Sequence, residues 1–127
     1  MSQKFFESAK LLLKNNFFES STNDFYYSAY HSILALFFFC GIKSENHNAS
    51  INLIKDLFKD KESFQIMNEL KEERIDKQYY HKTKASLKEM QNTKILCQKI
   101  NLKFILITRE LNKEKVKKIR EEFAKLK

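Results

Sequence analysis

The chain has no proline, no tryptophan and a single glycine, Gly41, in 127 residues. All-β folds turn their chain through Gly and Pro, so a turn-rich β architecture is disfavoured. A Rossmann or P-loop nucleotide site is close to excluded, because neither glycine pattern can be written with one glycine. Cysteine is scarce as well. Cys40 and Cys97 sit inside apolar stretches with no metal-ligand spacing, which reads as two buried free thiols and a reducing cytoplasm. Long apolar runs are missing. The longest, Ile33–Cys40, has eight residues, against the roughly 20 needed to span a bilayer. The first twenty residues carry Lys4, Glu7, Lys10, Lys14 and Glu19, so no signal peptide is read. The expectation is a cytoplasmic protein with no membrane contact. Arginine is rare too: Arg74, Arg109 and Arg120 are the only ones among 24 cationic residues.

What is present suits one globular domain. Hydrophobic residues make up 43% and aromatics 13%, with twelve Phe, enough for a core and against wholesale disorder. The net charge is +8. That excess permits contact with nucleic acid or an acidic protein. A composition drawn from AT-rich codons explains it equally well.

Periodicity is helical throughout. Phe5, Ala9, Leu12 and Leu13 make one stripe over about residues 2–18. The cluster Ser20, Ser21, Thr22, Asn23, Asp24 reads as a break with capping residues. A second helix is expected over about 23–40, with Tyr26, Tyr30, Ile33, Phe37 and Cys40 as its inward row. Its other rows are apolar too, which places it at the centre of a bundle or makes it the hub of a dimer. Gly41 falls where a helix ends in a left-handed residue, and Asn46 can cap a third helix over about 47–59. A fourth helix starts near 63, with Met67, Leu70 and Arg74 on one line. Thr83 is a candidate cap for a long helix over about 84–110, striped by Leu96, Ile100, Phe104, Ile107 and Leu111. Ile95, Leu102 and Leu106 lie off that stripe and suggest a second covered surface. Val116, Ile119, Phe123 and Leu126 make the charged tail amphipathic. The fold class is all-α: an up-and-down four- to five-helix bundle over residues 1–111, with a basic helical extension over 112–127.

The second helix reads Tyr26-Tyr27-Ser-Ala-Tyr30-His31-Ser-Ile-Leu-Ala35-Leu36, followed by Gly41 and then His47. It resembles the HEPN superfamily, many members of which show Y-Y-x-x-(F/Y)-H-x-x-x-A-L in one helix, then a glycine and a loop ending in a histidine. A charged helix with Arg74, a Tyr79-Tyr80 corner and a long last helix follow in the expected order, so the likeness covers about residues 4–110. The resemblance implies an up-and-down bundle, a homodimer, and a nucleotidyltransferase partner. It further implies RNA cleavage without metal through an R-x(4–6)-H motif at a dimer cleft. Arg74 and His81 have six residues between them and fit that motif, although Ile75 stands where the motif usually carries a polar residue.

The chemistry asks for these residue types. Metal-free RNA cleavage needs a group to take the 2′-hydroxyl proton, one to protonate the leaving oxygen and a cation at the phosphate. Histidine titrates near pH 6.5 and suits the first two; Arg is always charged and planar and suits the third. On one continuous helix Arg74 and His81 would stand about 10 Å apart along the axis, so a helix break or a second copy would have to close the gap. Arg74 and His81 are therefore the candidate catalytic pair, with Tyr27, His31, His47, Tyr79 and Tyr80 as candidate binding residues. Blander readings stand beside these. Arg74 can pair with Glu73 or Asp76, or lie over an aromatic ring. His81 can be a solvated residue at a helix end. His31 can be buried and hydrogen-bonded across the bundle, and His47 can fix a loop or cap. No metal or other cofactor is expected, since the three histidines have no metal spacing. Two functional readings stay open: an endoribonuclease of a toxin–antitoxin type, or a non-catalytic adaptor that binds a nucleotidyltransferase or a nucleotide. A purely structural bundle is a third.

Overall fold

The structure, a computed structural model, describes residues 1–79 and 87–126, with side chains for all of these except 76–79. Six helices follow one another: α1 (Ser2–Lys14), α2 (Phe18–Phe39), α3 (His47–Asp56), α4 (Lys61–Tyr79), α5 (Leu87–Arg109) and α6 (Lys113–Lys125). There is no strand among the described residues. The all-α bundle read from periodicity is what the chain forms.

Helix α2 is the axis of this bundle, in contact with α1, α4 and α5. Tyr26, Tyr30, Ile33, Phe37 and Cys40 are all buried, as the inward row requires. Phe25, Ala29 and Leu36, from other rows, are buried as well. The chain itself thus covers most of this apolar helix; its large exposed side chains are Phe38 and Phe39 in the last turn. Opposite it, α5 contributes Met90, Cys97, Ile100 and Phe104, and α4 contributes Met67 and Leu70.

The boundaries have local causes. Gly41 has φ 68°. Its N–H reaches Phe38 O at 3.1 Å and the Ile42 N–H reaches Phe37 O at 2.9 Å, the hydrogen-bond pair of a helix closed by a left-handed residue. Asn46 Oδ1 accepts from the Ala49 N–H at 2.9 Å and opens α3. Asp60, in what reads as a charged break, opens α4 by accepting from the Ser63 N–H and hydroxyl. It also bonds Lys103 of α5 at 2.6 Å. Asn112 opens α6 in the same way as Asn46.

Two expectations are corrected. Helix α1 ends at Lys14, not near 18, because Asn16 takes the left-handed conformation (φ 63°) and Phe17 N–H closes onto Leu12 O. Helix α2 therefore starts at Phe18, and Ser20–Asp24 lie inside it rather than capping it. Packing explains the inversion. Ser21 and Ser28 let α1 approach closely and donate to Ala9 O and Ser2 O, while Thr22 donates to Phe18 O in its own helix and faces Met90 of α5; the three bonds to carbonyls are 2.9 Å.

Helix α6 has no buried residue, but Ile119 and Phe123 rest against the core. No helix among the described residues is long and apolar enough to cross a membrane.

Candidate functional site

The Met67–Leu70 line of α4 packs on α2, and one turn further on that line delivers Arg74 to the same seam. On the facing side α2 presents Asn23, Tyr26, Tyr27 and Tyr30 at helical spacing. The Asn46 cap starts α3 in place, so its first residue, His47, lands against those tyrosines. Three helices thus meet at one polar cluster.

Arg74 is held in a defined plane. Its Nε–H donates to Asn23 Oδ1 at 2.9 Å. Its guanidinium carbon lies 5.3 Å from the Tyr27 ring centre and 5.5 Å from that of Tyr26. The blander reading of Arg74 as a cation over aromatic rings is therefore correct as geometry. It does not use up the group. A guanidinium carries five N–H donors, and among the described residues the hydrogen bond seen is the one at Nε, which orients the fork; the Asp76 side chain lies outside the described residues.

His47 is tied down from two sides. Its Nδ1 lies 2.8 Å from the Tyr26 hydroxyl, and its ring centre is 4.0 Å from that of Tyr30. Burial, then the charges of Arg74 and Lys71, hold its pKa below the ordinary histidine value. His47 is neutral at pH 7, with Nε2 as its second ring nitrogen. Asn46 does the capping, so His47 serves here as a fixed side chain of the cluster. Burial pushes the Tyr26 phenol well up, so it stays protonated. Tyr30 places its hydroxyl 3.2 Å from Ser50 Oγ, and Lys71 bonds Asn48 beside the cluster.

His31 departs from its blander reading. It is half-buried and stacked on Phe5, with ring centres 5.2 Å apart and planes at 5°, rather than hydrogen-bonded across the bundle. It also touches the edge of the cluster through Tyr27, at 6.4 Å between centres. Burial lowers its pKa as well. In both histidines the neutral imidazole is therefore favoured.

The structure brings together Arg74, Tyr27, His31 and His47. Tyr80 and His81 lie outside the described residues, as does Thr83, and the Tyr79 side chain is not described. Asn23 is the member that sequence reading missed, because its place in a Ser/Thr/Asp run made it look like a cap. Among the described residues no three His, Cys, Asp or Glu side chains come together as a metal site.

The arrangement gathers a fixed planar cation with Lys71 near it, two imidazoles whose neutral form is favoured, and the buried Tyr26 phenol, which stays protonated. The likeness seen in the α2 motif has independent support at this point. The HEPN domain family model matches residues 1–101, so the chain belongs to the HEPN domain family. No curated protein and no solved structure matches the chain significantly.

Proposed function

We propose that this HEPN protein binds RNA through the Arg74 cluster and cleaves it without metal as a homodimer. The observation that carries the reading is Arg74 itself, oriented by Asn23 between two tyrosine faces with neutral His47 beside it. A charged, planar, preoriented donor beside an unprotonated imidazole is what the cleavage chemistry requires. The imidazole takes the 2′-hydroxyl proton while the 2′-oxygen forms its bond to phosphorus. The bond from phosphorus to the 5′-oxygen breaks, and a second group returns a proton to that oxygen. His81 is proposed for a proton-transfer role, on the strength of its spacing from Arg74. The second copy is proposed to pack on α5 and not on α2, the expected hub, because α2 is largely covered by its own chain. Ile95, Leu102 and Leu106 recur along the outside of α5, exposed by 59%, 63% and 46%, and form an apolar row that a partner subunit would cover. The toxin-like role beside a nucleotidyltransferase, in the cytoplasm, belongs to the same proposal and rests on family membership.

The adaptor reading has one observation in its favour. Arg74 already joins α2 to α4 through Asn23 and the tyrosines, as a structural clamp would. Purified wild type, Arg74→Ala, Arg74→Lys and His81→Ala are incubated with structured RNA in excess chelator. Cleavage by wild type, its loss in both Ala variants and partial retention in Arg74→Lys are expected. Cleavage that survives both Ala substitutions rejects this site. Binding without cleavage in wild type selects the adaptor.

A further inference from the structure

Away from the Arg74 cluster, a trough of about 710 Å³ runs between the C-terminal ends of α2 and α5 and the length of α6. That volume lies within the range of ligand clefts, roughly 300–1,000 Å³. Its floor is apolar: Phe39, Leu111, Val116 and Ala124. Phe39 is 61% exposed, an unusual state for a phenylalanine at the end of a core helix. The trough continues past Phe39 and Thr108 into a second hollow of about 390 Å³ that reaches Ala35 and Ile105.

Its rim is basic and regular. Lys113, Lys117 and Arg120 follow at i, i+4 and i+7 along one face of α6, against the single carboxylate Glu121. Arg120 lies across Gly41, where a Cβ would make ordinary contact with its guanidinium carbon at 3.5 Å. The α6 face from Lys113 to Ala124 is about 16 Å long, three helical turns.

We propose that this trough is the docking site for an acidic amphipathic helix of a partner protein. The helix would lay an apolar i, i+3, i+4, i+7 row on Phe39 and Val116 and set Asp or Glu residues against the Lys113–Lys117–Arg120 ladder. Charge selects this occupant. A second copy docked face to face at this trough would set the same Lys113, Lys117 and Arg120 cations against the rim. Three spaced cations along a rod-shaped floor match a row of carboxylates better than a single head group. The proposal does not depend on the ribonuclease reading, since none of its residues belongs to the Arg74 cluster.

The test uses the full chain and two labelled amphipathic peptides of about four turns with the same apolar row. One carries Glu on its flanks and the other Lys at the same positions. Fluorescence anisotropy is expected to show the Glu peptide binding at least about tenfold tighter than its Lys twin, with salt weakening it. The triple variant Lys113→Glu, Lys117→Glu, Arg120→Glu reverses the preference, and Phe39→Ser weakens both peptides. Equal binding of the two peptides, no binding at about millimolar protein, or a preference that survives the charge reversal overturns the proposal. So does a dimer in sedimentation that Phe39→Ser dissolves, since a second copy then owns the trough. Should a variant melt early, the comparison of the two peptides on wild type decides alone.

Discussion

The bond between the Tyr26 hydroxyl and His47 Nδ1 ties α2 to the start of α3, and its strength is measurable. Tyr26 is fully buried and the contact is 2.8 Å. Tyr26→Phe keeps the ring and deletes only the hydroxyl, so no sizeable cavity forms. The loss is one partly buried hydrogen bond, about 1 kcal/mol. With a urea slope of about 2 kcal/mol per molar, the midpoint should fall by about 0.5 M. His47→Ala also removes a ring packed 4.0 Å from Tyr30 and costs more, about 2 kcal/mol. The decisive quantity is the coupling. In the His47→Ala background, Tyr26→Phe should be nearly silent, giving an interaction energy of about 1 kcal/mol by double-mutant cycle. Additivity within about 0.3 kcal/mol would refute the bond and with it the anchoring of His47 beside Arg74.

Other outcomes follow from the same structure. His31 and His47 have folded-state pKa values below the ordinary 6.5, so the unfolded chain binds more protons as pH falls through that value. Stability should therefore decline below about pH 6.5 and be flat just above it in these groups; a melting temperature unchanged from pH 7 to 5.5 contradicts this. Burial pushes both thiols up, Cys97 to about 11, so a thiol reagent at pH 8 should find neither cysteine in the native protein and both in denaturant. Fast native labelling of either would contradict their burial. Asn46→Ala should cost about 1 kcal/mol by removing the α3 cap, and Gly41→Ala about 1–2 kcal/mol because φ 68° is a left-handed backbone. Unshifted urea midpoints would contradict both.

Much of the fold was legible because it rests on local rules. The inward row of α2 could be read from a 3.6-residue period, and the Gly41 stop and the Asn46 start from backbone chemistry. The blurred stretch lay between α1 and α2. There Asn16 does a task usually given to glycine, and a Ser/Thr cluster that looks like a cap is a close-packing surface against α1. Neither is visible without knowing what the hydroxyls face. The site was half legible. Tyr27, His31, His47 and Arg74 were singled out by the resemblance to the HEPN pattern, and the structure gathers them. Asn23 is 51 residues from Arg74 in the chain, and only the meeting of α2 and α4 pairs them. Tyr79, Tyr80 and His81 fall where the described site stops.

Arg74 is the proposed phosphate-binding group. The direct measurement is the affinity of a labelled single-stranded RNA for wild type and for Arg74→Ala, in chelator and at fixed salt, with circular dichroism confirming an intact bundle. A lost hydrogen bond to a charged group of about 1.5–3 kcal/mol predicts a drop of about 10- to 100-fold. Equal affinity of the two proteins would contradict it and leave Arg74 a clamp between α2 and α4.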